Sequence, residues 1–155
     1  MFSEEAFNAT RDAFWQYGLF FKAVSEEFGL EKALELRDKG LKPYCLEITK
    51  AIRAGIEDEL DLKAVGSFLE KVLASGGWET KMILENPKSI ILRHTKCPEA
   101  EGLLQAGLDP NTVKTYCRRT TQVVTPYLKD LVPGLRMGVR KWNAPKSCDE
   151  ELVIE

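Results

Sequence analysis

From Phe7 to Phe28, large apolar side chains (Phe7, Phe14, Tyr17, Phe21, Val24 and Phe28) return at the spacing of one helix face. Ser3 stands where an N-cap is needed and Gly29 where a helix ends, so the pattern predicts a long first helix. Trp15 and Phe20 widen its apolar stripe beyond what one packing partner covers, which puts this helix through the core or along an apolar cavity. Glu31 to Lys39 reads as a second helix closed by Gly40. Pro43 then suits the first turn of a third, with Leu46, Ala51 and Ile52 inward before Gly55. Asp61 caps a fourth, whose Leu62, Val65, Phe68, Leu69, Val72 and Leu73 share a face as far as Gly76-Gly77.

There the period changes. From Trp78 the chain alternates, with Trp78, Thr80, Met82 and Leu84 on one face and Glu79 and Lys81 on the other. Glu85-Asn86-Pro87-Lys88 supplies a turn, and the apolar run Ile90-Ile91-Leu92 leads to His94, so a hairpin is expected. Cys97-Pro98 with Glu99 and Glu101 reads as the start of a short helix that Gly107 closes. Asp109-Pro110 repeats the signature before a longer helix. In it Val113, Tyr116, Cys117, Thr120, Val124, Tyr127, Leu128 and Leu131 face inward, Arg118 and Arg119 face away, and Pro126 predicts a kink. After Pro133-Gly134 a second hairpin follows, turning at Asn143-Ala144-Pro145-Lys146. Its last strand places Cys148, Glu150, Leu152 and Ile154 on one face and Asp149, Glu151 and Val153 on the other. The sum is an α+β fold, with N-terminal helices packed on a four-stranded antiparallel sheet and further helices inserted between its two hairpins.

At 155 residues the chain suits one domain over 1–155, and 44% hydrophobic with 30% charged residues is an ordinary globular balance. A formal net charge of -2, with both signs interspersed, offers no basic footprint, so nucleic acid is not an expected partner. The acidic start Met1-Phe2-Ser3-Glu4-Glu5 is unlike a signal peptide, and no apolar run is long enough for a membrane span, so a cytoplasmic protein is expected. In that compartment the four cysteines are expected as thiols or ligands rather than disulfides. The sequence is compatible with a homo-oligomer.

The candidate chemistry gathers around the only histidine. His94 and Cys97 are close at a strand end, Cys117 lies on the inner side of a helix, and Cys148 on the inner side of the last strand. If all four meet, they are a ligand set of one imidazole and three thiolates, which suits zinc as a cofactor. Without a metal, Cys97 at a helix N-terminus is a candidate nucleophile with His94 as its acid–base partner and Asp149 or Glu150 as the orienting carboxylate. Glu99 and Glu101 oppose the helix dipole there, so the expected shift of the Cys97 thiol is downward but small. Cys45 reads as a small buried side chain outside the site. A third reading is an apolar ligand pocket, lined by Trp15, Tyr17, Phe20 and Phe21 with Trp78 and Met82. Arg93, Arg136 or Arg140 would receive a carboxylate ligand if one faced inward.

Thr95-Lys96-Cys97-Pro98, Tyr116-Cys117, Leu131-Val132-Pro133 and the closing Cys148 with its acidic, apolar strand resemble the aminothiazoline-carboxylate hydrolase-like family. The stretches Phe14-Trp15-Gln16-Tyr17-Gly18-Leu19-Phe20-Phe21 and Glu27-Phe28-Gly29-Leu30-Glu31-Lys32-Ala33 resemble uncharacterised bacterial and archaeal relatives of that group. More distantly, the layout of three cysteines on an α+β frame is similar to vinyl-reductase-type ligand-binding domains. The resemblance implies ring opening of a cyclic cysteine precursor and marks Cys97, Cys117 and Cys148. The functions expected are therefore a small-molecule-binding domain that hydrolyses a C–N or C–S bond, or a non-catalytic ligand- or zinc-binding sensory domain.

Overall fold

Three helices, not four, precede the first strand of the structure, a computed structural model that describes residues 2–56 and 60–155: α1 (Glu4–Phe28), α2 (Leu30–Gly55) and α3 (Leu62–Ser75). α2 runs unbroken through Gly40 and Pro43, where the sequence predicts a break. Inside a helix, glycine and proline cost about 1 and 3 kcal/mol relative to alanine. Both positions face solvent, so no packing partner is displaced, while Ala33, Leu34, Cys45 and Ile52 are buried on either side of the interruption. Full burial of a large apolar side chain returns about 1.5–3 kcal/mol, and several such residues outweigh the local preference. The continuity also re-aims side chains. Ile52 is buried as expected, but Leu46 and Ala51 face outward.

β1 (Glu79–Asn86) and β2 (Ser89–Lys96) form the first hairpin, and β3 (Leu135–Asn143) and β4 (Ser147–Ile154) the second, with α4 (Pro98–Gln105) and α5 (Pro110–Lys129) between them. All pairings are antiparallel and the order is β1-β2-β4-β3, so the fold is α+β as the periodicities predict. β2 and β4 are central, which is why Ile90, Ile91 and Leu92 are buried in succession rather than alternately. Trp78 lies just before β1 and packs edge-on to Phe14. α5 continues through Pro126, and Thr125 ties its end to β3 by exchanging hydrogen bonds with the Met137 backbone.

Side-chain oxygens of Ser3, Asp61 and Asp109 accept backbone N–H groups at the starts of α1, α3 and α5, as the capping residues predict. α1 lies against α4 at close range. A Cβ on Gly102 would stand 2.8 Å from the Phe14 Cβ and from the Trp15 amide, and one on Gly18 would stand 2.7 Å from the Ala106 Cβ. Among the described residues, no helix is long and apolar enough to cross a membrane.

The inner sheet face carries three rows in register: Leu84, Ile90, Leu152 and Met137; then Met82, Leu92, Glu150 and Val139; then Thr80, His94, Cys148 and Trp142. Ile90, Leu92, Leu135 and Leu152 pack with Ile52, Val65 and Leu128 in one apolar cluster. A second cluster joins α1, α2, α4 and α5 around Phe21, Leu34, Leu103, Val113 and Tyr116, with Cys117 in it and Cys97 and Trp142 against it. The His94 row lies at the end of the sheet that meets this second cluster, so the polar side chains collect at the junction of the two cores.

Candidate functional site

β2 delivers His94 to the inner face and then ends, and α4 begins at once with Cys97 as its N-cap residue. Pro98 at the first helical position and Glu99 in the first turn follow from that start. β4 pairs with β2 so that Cys148 is directly across from His94, and Glu150 is one row along on the same face. α5 places Cys117 on its buried side one residue after Tyr116.

His94 is buried and both ring nitrogens have partners. Nδ1 lies 2.7 Å from the Thr80 hydroxyl and Nε2 lies 3.2 Å from the Glu150 carboxylate. One neutral tautomer satisfies both, with Nε2–H donating to Glu150 and Nδ1 accepting from Thr80. Of the two carboxylates expected as orienting groups, Glu150 holds that place. Asp149 points to the opposite face, where it takes two hydrogen bonds from Arg93 at 2.8 and 2.9 Å.

All four cysteines are free. The Cys97 sulfur accepts the Ala100 N–H at 3.5 Å, the expected N-cap contact. Its titration is nonetheless the reverse of the small downward shift expected from the helix dipole. Burial, and next the charge of Glu99, push the thiol well up, and the Ala100 N–H offsets only part of this. Burial also drives Cys117 upward, with Glu99, Cys97, Glu150 and Cys148 adding to it. Cys148 is pushed up to about 12 by burial, then by Glu150, Asp149 and Glu99. At neutral pH these are protonated thiols rather than thiolates, so a pre-activated cysteine nucleophile is not what the site presents.

The three thiols do share one electrostatic neighbourhood, since each titration is raised by Glu99 and Glu150. They do not form a metal centre. Among the described residues, no group of three or more His, Cys, Asp or Glu side chains stands close enough to hold a metal ion. The ligand set of His94, Cys97, Cys117 and Cys148 therefore does not fit zinc as these side chains are placed.

Glu99 is the group that sequence reasoning treats only as a dipole-matching acid. Burial, then the charge of Glu150, raise its carboxyl from 4.5 to about 7, with Arg37 and His94 opposing. The signal in the sequence is slight: Glu99 follows Cys97-Pro98 at the second helical position, but nothing local shows that this turn is buried within reach of the Glu150 charge. Arg37, Thr80 and Trp142 also stand near the site without a motif of their own, and Tyr116 joins them from the Tyr116-Cys117 pair. Cys97 and Glu99 are partly exposed while Cys117, Cys148 and His94 are buried.

The aromatic residues of α1 divide. Tyr17 turns inward against Phe21 and Tyr116, at centroid distances of 6.2 and 6.3 Å, whereas Trp15 is 37% and Phe20 67% exposed. The stripe thus splits between core and surface instead of lining a pocket along its length. Arg93, Arg136 and Arg140 are exposed and pair with Asp149, Glu155 and Glu85. An open groove of about 580 Å³ lies between α2 and α5, lined by Glu35, Asp38, Lys39, Lys42 and Arg119 among others, and includes none of the cysteines. Comparison with protein-family models, curated proteins and solved structures finds no match for this chain.

Proposed function

We propose that the cluster of His94, Cys97, Glu99, Cys117, Cys148 and Glu150 is a small-molecule site that hydrolyses a C–N or C–S bond in a small sulfur- and nitrogen-containing heterocycle. The observation that carries this reading is Glu99, a half-enclosed carboxyl that titrates at about 7 beside protonated thiols and a fixed imidazole. A carboxyl at that value is populated in both forms at neutral pH, the condition for serving as base and then acid in one reaction cycle. In such a cycle a water oxygen bonds to the ring carbon between the heteroatoms and its proton passes to Glu99. The ring C–N or C–S bond then breaks, and Glu99 returns the proton to the departing nitrogen or sulfur. Cys97, Cys117 and Cys148 line the site as neutral, polarisable contacts, and His94 with Glu150 fixes its floor. Tyr17 supplies an inward aromatic wall; Trp15, which the sequence places beside it, does not contribute. The substrate class is the one that the resemblance to the aminothiazoline-carboxylate hydrolase-like family implies.

Incubation with 2-aminothiazoline-4-carboxylate, following loss of the ring and thermal stabilisation of the protein together, tests this. Wild type is expected to show both, Glu99→Gln to keep the stabilisation and lose turnover, and Cys117→Ala to lose the stabilisation while its ligand-free melting point hardly moves. Turnover unchanged in Glu99→Gln would refute the role of that carboxyl. The non-catalytic reading, a sensory ligand-binding domain, is favoured by the full hydrogen bonding of His94 and predicts stabilisation without turnover in wild type.

A further inference from the structure

Gly40 and Pro43, the two residue types that weaken a helix most, stand in the middle of α2 on its exposed side. Nothing within the chain calls for the glycine. Its backbone is ordinary helix, and a Cβ there would meet nothing within 4 Å among the described residues. Leu36 and Tyr44 flank it four residues to either side and are 46% and 60% exposed. At that spacing the three positions form one ridge, an apolar strip about 12 Å long with a gap at its centre and the exposed Pro43 ring beside it.

The strip faces away from α5. The groove between α2 and α5 takes Glu35, Asp38, Lys39 and Lys42 from this helix, and none of Leu36, Gly40 and Tyr44. On its other side α2 is accompanied by α1. Tyr17 of α1 and Arg37 of α2 both pack on the Tyr116 ring, so the helices lie side by side at this level, with the exposed Phe20 one turn beyond Tyr17. Of the eight large apolar side chains exposed among the described residues, seven lie on α1 and α2, and Leu84 alone lies elsewhere. Exposed apolar surface is thus concentrated around this strip rather than scattered.

We propose that the strip is a contact between two copies of this chain, in which α2 crosses α2 of the second copy antiparallel about a two-fold axis at Gly40. Positions equidistant from such an axis face each other, so Leu36 of each copy packs on Tyr44 of the other. Gly40 meets Gly40, and with no side chain at the crossing the two backbones close until each ridge fills the gap in the other. The charges mirror in the same way. Lys32, eight residues before Gly40, comes beside Glu47 of the second copy, seven residues after it, and this happens at both ends. A parallel crossing would set Lys32 against Lys32. Within one copy Lys32 pairs with Glu35 at 2.9 Å and Glu47 with Lys50 at 2.7 Å, both exposed contacts that a second partner can share, so these charges set the register more than the strength. An unrelated partner would have no need of charges that mirror about Gly40. Phe20, Leu36 and Tyr44 offer on the order of 350 Å² of exposed side chain per copy, the low end of specific interfaces, so the dimer is a reversible one of micromolar affinity.

Sedimentation equilibrium of the full chain between about 5 and 500 μM, the span in which a contact of this size half-dissociates, tests the proposal. Wild type should pass from monomer to dimer and no further. Gly40→Gln should weaken the association at least about tenfold, because a long side chain then fills the crossing point. Its melting point in dilute solution should not fall, since glutamine meets nothing in its own chain and is the better helix former. Lys32→Glu should weaken the dimer by about three- to tenfold, and Lys32→Glu with Glu47→Lys should restore it. A wild-type monomer at every concentration would overturn the proposal and leave the strip to a different partner. A dimer that Gly40→Gln leaves intact, or growth beyond two copies, would place the contact elsewhere. A double variant as weak as Lys32→Glu alone would overturn the antiparallel register. The wild-type series decides whether copies associate even if a variant fails to fold.

Discussion

Replacing Glu99 by glutamine should abolish a pH dependence of folding whose size follows from the structure. The carboxyl rises from 4.5 to about 7 in the native state. The folded protein therefore holds this proton more tightly than the unfolded chain does. Each tenfold change in proton affinity is worth about 1.4 kcal/mol, so the native state gains about 3 kcal/mol from the protonated group. The sign follows from the direction of the shift. The contribution is fully present below about pH 4.5 and is lost as the pH rises through about 7, the opposite of an ion-paired carboxylate. Asp149 and Asp109, held low by Arg93 and by Thr112, titrate below this window and cancel between the two proteins. Urea unfolding of wild type and Glu99→Gln at several values between pH 4.5 and 8 measures the effect. The variant should match wild type at the acid end and exceed it by about 3 kcal/mol at pH 8, because an uncharged amide escapes the penalty of burying an anion. A stability difference that stays constant across the range would refute the reasoning and place the Glu99 carboxyl in solvent.

Cys97 should react with iodoacetamide at pH 8 at least tenfold more slowly in the native protein than a free thiol does, because burial and Glu99 hold it protonated; peptide mapping of the modified chain reads this, and a rate equal to the free thiol would restore Cys97 as a nucleophile. Gly102→Ala should destabilise the fold by about 1–3 kcal/mol in urea unfolding despite the better helix propensity of alanine, since backbone atoms of α1 stand where the methyl would go. The same variant should move the pH dependence of unfolding that Glu99 creates, because α4 carries both residues; an unchanged pH profile in a destabilised protein would uncouple the helix crossing from the site.

What the sequence determined by itself is what short-range physics decides. Ser3, Asp61, Cys97 and Asp109 cap helices because a side-chain acceptor two or three residues from an unpaired N–H is a local matter. The alternation from Thr80 to Leu84 and from Cys148 to Ile154 determines which side chains share a face of each strand, whereas the pairing of β2 with β4 is what sets His94 beside Cys148. Cys117 is inward for the same kind of reason on a helix. The tertiary structure decided the rest. α2 passes through Gly40 and Pro43 because burial along the whole helix exceeds a local penalty, and no local rule contains that sum. The titration of Glu99 and of Cys97 depends on how deeply the start of α4 is enclosed by its neighbours in the fold, which reversed the expectation for Cys97. Arg37 reads in the sequence as one more charged residue on a helix; only the packing of α2 against α5 puts its guanidinium over Tyr116 and its Nη2 on the Tyr116 carbonyl. Hydrogen bonding within a few residues is written in the chain, whereas desolvation and charge pairing are set by neighbours tens of residues away.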